Sequence, residues 1–218
     1  MKKTVPVGCE MTGLVLAGGR SSRFGSDKSH VVLHGAGNML AWSCALLASL
    51  PGISRVALSC RPDQVEELHG AASLLIPDES SGPPSPLRGL VAALKRTGEP
   101  VFAIPCDLPL MTADILSLLI RARQSRLEAP SGPVPLLRTT FIDSDGFLDS
   151  LIGIYEKESL PFLEDALAHE RWGVWSAIPA GGNCLVPRPD SPAFLNMNTP
   201  EDFEHALSLL KAGKRDMR

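Results

Sequence analysis

Gly13-Leu-Val-Leu-Ala-Gly-Gly-Arg-Ser-Ser-Arg-Phe-Gly-Ser-Asp-Lys28 is the stretch whose reading decides the fold. Its short apolar run ends at Gly18-Gly19, which reads as a buried strand over Gly13–Ala17 rather than a helix. Paired glycines let the backbone turn sharply and bring N–H groups against an anion. Arg20, Arg23 and Lys28 follow within reach of one loop, with Ser21 and Ser22 as neutral donors. Arginine grips a phosphate through two parallel bonds, and lysine acts as a point charge. A strand and two glycines alone would serve equally well as a solvated turn; the cations behind them make the loop a phosphate cradle. The segment matches neither G-x-x-x-x-G-K-[ST] nor G-x-G-x-x-G, which removes support for P-loop ATPases and dinucleotide-binding dehydrogenases.

Outward from this loop, apolar runs alternate with stretches of helical period, the pattern of βα units. Helices are expected over Met39–Leu50, Pro62–His69, Leu87–Arg96, Met111–Arg123 and Glu158–His169, with a last one capped by Thr199 and opened by Pro200. Strands are expected over Arg55–Cys60, Ser73–Ile76, Pro100–Ile104, Leu151–Tyr155, Val174–Ile178 and Cys184–Val186. Residues 128–146, rich in Pro, Ser, Gly and Asp, read as an inserted loop. The expected architecture is α/β: a three-layer, doubly wound, mostly parallel sheet. It occupies one domain over residues 1–218, with 1–11 and 213–218 frayed.

Composition sets the remaining bounds. The chain has 218 residues, enough for one substantial core, and 44% are hydrophobic. A net charge of −3 without a polybasic run gives no reason to expect nucleic acid as partner. The five cysteines contain no C-x-x-C pair, so neither a disulfide framework nor a zinc knuckle is expected. The sequence offers neither a signal peptide nor a run of 18 apolar residues, so the expected setting is the cytoplasm without a membrane partner.

Three further segments carry chemistry. Asp107, in Ile104-Pro-Cys-Asp-Leu-Pro109, stands at the end of a central strand, where open α/β sheets gather ligands. A carboxylate there suits Mg²⁺ beside a polyphosphate, although turn aspartates are common. Asp78 closes another strand and is suited either to a ribose or base edge or to plain solvent. Asn196 and Asn198 alternate onto one face of an extended segment, as a metal-completing amide or as turn residues before the Thr199 cap. The histidines are scattered without ligand spacing, and Ser21 and Ser22 lack a G-x-S-x-G setting.

In this order the segments resemble the molybdenum cofactor guanylyltransferase (MobA) family. Leu16 to Lys28 matches L-A-G-G-x-S-x-R-x-G-x-D-K in full, Pro105 to Pro109 matches P-C-D-x-P, and Asn196 to Asp202 matches N-x-N-T-P-E-[DE]. The resemblance implies a GT-A-like nucleotidyltransferase that joins GMP from GTP to molybdenum-loaded molybdopterin and releases pyrophosphate, with Mg²⁺ as cofactor. Leu16, Ala17 and Gly18 would meet guanosine through backbone groups, with Gly19, Ser59, Asp78 and Gly89 completing the nucleotide site. Arg23 and Lys28 would hold the phosphates, while Asp107 and Asn198 would hold the metal. Related cytidylyltransferases usually read L-A-A-G, so Gly18 favours guanine.

Departures lie at Ser59, where an asparagine is frequent, at Ser85, which opens Ser-Pro-Leu-Arg-Gly89, and at Asp149-Ser150-Leu151, which should face the pterin. Molybdoenzyme apoproteins or chaperones would be transient partners. The competing readings are a nucleotidyltransferase using CTP or a sugar phosphate, and a non-catalytic nucleotide or cofactor carrier.

Overall fold

The chain winds outward from a central strand. In the computed structural model, which describes residues 10–17, 32–33, 37–66, 68, 71–77, 83–129 and 134–215, β1 (Met11–Leu16) is flanked by β4 (Ile53–Cys60) and β6 (Val101–Pro105), both parallel to it. The order β5-β4-β1-β6-β8-β7-β9 places β5 (Leu74–Pro77) at one edge and β9 (Asn183–Pro187) at the other. Among the described residues of this sheet only β8 (Leu148–Tyr155) is antiparallel, against both β6 and β7 (Arg138–Ile142). A two-residue ribbon, β2 (Val32–Leu33) with β3 (Gly37–Asn38), stands apart. The mostly parallel sheet expected from the sequence is therefore present.

Side chains of successive strand residues go to opposite faces, and two cores result. Val15, Leu58, Phe102 and Ile104 pack beneath α1 (Met39–Ala48) and α3 (Ala113–Glu128). Leu14, Ala57, Val101 and Ala103 pack beneath α2 (Pro86–Thr97), α4 (Leu160–Ala168) and the short α5 (Val174–Ala177). The last helix, α6 (Pro200–Arg215), joins Met39 of α1 through Met197 and Leu207. Its start is a reciprocal cap: the Thr199 hydroxyl accepts from the Asp202 N–H, and the Asp202 carboxylate accepts from the N–H groups of Asn198 and Thr199 at 2.8 Å.

Four expectations are corrected. Residues 128–146 are not a continuous insertion: α3 runs to Glu128, and Arg138–Ile142 is a strand with its first four residues buried between β8 and β9. Its polar threonines disguised it. Among the described residues of 62–69 there is a 3-10 turn, Pro62–Gln64, where a helix was expected, and the Gln64 side chain accepts from the Arg61 N–H. Val174–Ala177 is one helical turn, not a strand. There the buried Arg138 guanidinium collects the carbonyls of Val174 and Trp175 and the amide oxygen of Asn183, which outweighs the weak β preference of a short segment. At the ends, Met11 is buried inside β1 and α6 continues to Arg215, where fraying was expected.

Candidate active site

The parallel strands β1, β4, β5 and β6 end on one side of the sheet, and the chain leaves β1 toward β4 before returning beyond β1 to β6. That reversal opens a crevice between the ends of β1 and β6, the place where such sheets bind ligands. Leu16, the last residue of β1, is level with Ser59 of β4 and Pro105 of β6. The loop that follows β1 thus begins at the crevice, while Asp107 stands just past the end of β6.

Asp107 and the asparagine segment, far apart in sequence, are tied together. The Met197 N–H donates to the Asp107 carbonyl at 2.9 Å, and the Met197 side chain is fully buried against Met39 and Leu207. With Met197 anchored inward, Asn196 and Asn198 are exposed on the opposite side. A carboxylate and neighbouring amide oxygens form a hard, oxygen-only donor set, which suits Mg²⁺ completed by substrate phosphates. Among the described residues no cluster of three or more His, Cys, Asp or Glu side chains competes with it.

On the nucleotide side, the Ala17 N–H is spent on the Ser59 carbonyl at 3.0 Å, so Ala17 has its carbonyl, not its N–H, left for a nucleoside. Ser59 is buried beneath α2 at the end of β4. Gly89 explains why: a Cβ there would stand 2.2 Å from Ser59 Oγ and 3.3 Å from Leu16 Cδ2, so α2 rests directly on the strand ends. Gly89 and Ser59 form the floor of the cleft. Ser85 is the N-cap of α2, accepting from the Leu87 N–H at 3.2 Å. Gly18, Gly19, Arg23, Lys28 and Asp78 lie outside the described residues.

Beyond Asp107, a cavity of about 870 Å³ opens between the end of β6, the start of β8 and α5. Phe147, Asp149, Trp172, Trp175 and Arg188 line it together with Asn196. Site reasoning from the sequence missed these aromatics and Arg188. The available signal was their scarcity: in a chain with 5% aromatics, Phe147 and Trp175 stand 73% and 67% exposed. Burial holds the Asp149 carboxyl above the ordinary carboxylate range, against the opposing pull of Arg188. The Arg188 guanidinium lies 5.3 Å from the Phe194 ring centre and 3.4 Å from Asp149 Oδ1.

Comparison with known proteins agrees with this geometry. A family model described as the MobA-like NTP transferase domain matches residues 13–172. A protein of Bacillus subtilis named probable molybdenum cofactor guanylyltransferase is 29% identical, over 93% of this chain and 98% of its own. One of the same name from Thermococcus kodakarensis is 26% identical, over 91% and 95%. The crystal structure of molybdopterin-guanine dinucleotide biosynthesis protein A from Archaeoglobus fulgidus superposes with a TM-score of 0.72 at 20% identity, covering 93% of this chain and all of that one. That level of likeness carries the fold.

Proposed function

The chain belongs to the MobA-like NTP transferase domain family, and from that premise we propose that it is a guanylyltransferase moving GMP from GTP to molybdenum-loaded molybdopterin. The products are the guanine dinucleotide cofactor and pyrophosphate. The observation that carries this reading is the hydrogen bond from the Met197 N–H to the Asp107 carbonyl, which joins the P-C-D-x-P and N-x-N-T-P-E segments beside a cavity lined by Asp107 and Asn196 and large enough for a second substrate. The names of the relatives and the paired glycine at Gly18 support GTP as donor.

The terminal phosphate of molybdopterin attacks the α-phosphorus of GTP in line: a P–O bond forms there and the bond to the β-phosphate oxygen breaks. The nucleophile is ionised near neutral pH, so no general base is needed, and positioning with charge stabilisation supplies the rate. Leu16, Ala17 and Gly18 orient the guanosine through backbone groups, with Gly19, Ser59, Asp78 and Gly89 completing the nucleotide site. Arg23 and Lys28 take up negative charge as it accumulates on the leaving pyrophosphate. Asp107 and Asn198 would hold Mg²⁺, which when bound would supply positive charge against the phosphates. We place the reaction in the cytoplasm, with transfer to apoenzymes or their chaperones afterwards.

The direct test is pyrophosphate release from GTP or CTP with molybdopterin and Mg²⁺. Turnover is expected with GTP, and Asp107→Ala or Lys28→Ala should lower it by at least ~100-fold, the scale of one preorganised electrostatic contact. A preference for CTP, or near-normal release from either variant, would overturn the corresponding assignment.

A further inference from the structure

The wall of the 870 Å³ cavity contains an irregularity in the sheet. Thr140 pairs with Gly153 and Ile142 with Leu148, so residues 149–152 of β8 face Phe141 alone. Such bulges re-aim side chains beside active sites. This one is held by buried hydroxyls: Thr140 Oγ1 lies 2.9 Å from the carbonyls of both Asp149 and Ile152, and the Tyr155 hydroxyl donates to the Ser150 carbonyl. The Asp149 carboxylate and its neighbour Arg188 thereby present an acceptor and a donor side by side within aromatic walls. Arg188 is also 3.8 Å from Asp143, so its charge is steadied from two sides.

We propose that Asp149 and Arg188 select the heterocycle of the acceptor: Asp149 accepts from the ring N–H and exocyclic amino group of a 2-amino-4-oxo ring, and Arg188 donates to its carbonyl. This rests on the guanylyl-transfer reading for the identity of the acceptor. The order along that edge, carbonyl then N–H then amino, matches a guanidinium beside a carboxylate. Guanine carries the same edge. The cavity, however, lies on the β6–β8 side of Asp107, away from Leu16, Ser59 and Gly89, so the pterin is the occupant assigned here.

Fluorescence titration with pterin and with lumazine, its 2-oxo counterpart, tests the assignment in the presence of GTP and Mg²⁺. The parent protein should prefer pterin by ~10-fold, the scale of one unmatched polar group. Asp149→Asn should invert the preference, because its amide accepts from the ring N–H and donates to the 2-oxo group. Arg188→Gln should weaken both ligands alike, since both carry the 4-oxo group. GTP-over-ITP discrimination, read by thermal shift, should stay unchanged in both variants.

An unaltered pterin-to-lumazine ratio in Asp149→Asn, or a change in GTP-over-ITP discrimination instead, overturns the proposal. A protein that makes the pterin distinction but releases no pyrophosphate from GTP and molybdopterin upholds the pocket assignment and overturns guanylyl transfer. Transfer activity with no inversion does the reverse.

Discussion

Gly89→Ala should damage the nucleotide side of the cleft through packing alone. The new Cβ would stand 2.2 Å from Ser59 Oγ and 2.9 Å from Ser59 Cβ, where ordinary contact begins near 3.4 Å. Rotating the Ser59 hydroxyl relieves the first clash but not the second, so helix and strand must separate by about 0.5 Å, the gap left by those distances. Overpacking of this kind costs about 1–3 kcal/mol, and the better helix propensity of alanine offsets about 1 kcal/mol. The net loss is then ~1 kcal/mol, or about 2–4 °C in Tm for a chain of this size.

Calorimetry reads the stability change, and the thermal shift induced by GTP reads the cleft, which should respond more weakly. Adding Ser59→Gly removes the opposing atoms, so the double-mutant cycle should show a favourable coupling of about 2 kcal/mol, the size of the relieved overpacking. A Gly89→Ala protein as stable as its parent, or a cycle without coupling, would refute the close approach as the reason for glycine.

Glu156→Ala removes the carboxylate that the buried Arg123 holds through two bonds of 2.6 and 2.8 Å, and should cost about 3–5 kcal/mol by urea unfolding; a loss below ~1 kcal/mol would count against a desolvated pair. For Asp149, the folded pKa is raised, so its relative stabilisation is complete below the unfolded value of about 3.9 and is lost as pH rises through the folded value. Asp149→Asn should accordingly be more stable than its parent at neutral pH, with the advantage fading in a Tm series toward pH 4; an advantage that grows on acidification contradicts this sign. Burial pushes the Cys44 thiol up to about 11, so alkylation at pH 8 should leave it unmodified until denaturant is added, as peptide mapping would reveal.

The sheet's parallel half was legible because continuous apolar runs such as Leu14–Leu16 and Val101–Ile104 have few alternatives once Gly or Pro closes them. The β7 strand was not: Arg138 and Thr140 are buried because their polar groups find partners in other elements, which no local pattern records. The motif residues Asp107 and Asn198 could be named from sequence, yet their adjacency depends on a backbone bond made by the unremarkable Met197. Of the cavity beyond them only the Asp149–Leu151 segment was legible, through the resemblance, and the rest was hidden for the same reason. Asp149, Trp172 and Arg188 come from three separate segments, and the bulge that aims Asp149 depends on Thr140 and Tyr155, residues with no chemical signature of their own.

The hydrogen bond between Met197 and Asp107 also orders events during synthesis. Its two ends are roughly ninety residues apart, and the distal one precedes only the last helix. Strands β1, β4, β5 and β6 can emerge from the ribosome and pair while the asparagines are still inside it. The asparagine segment therefore joins Asp107 last, so on the proposed reading a partly made chain would have a nucleotide cleft but no means of completing the metal site, and competence would wait for translation through α6.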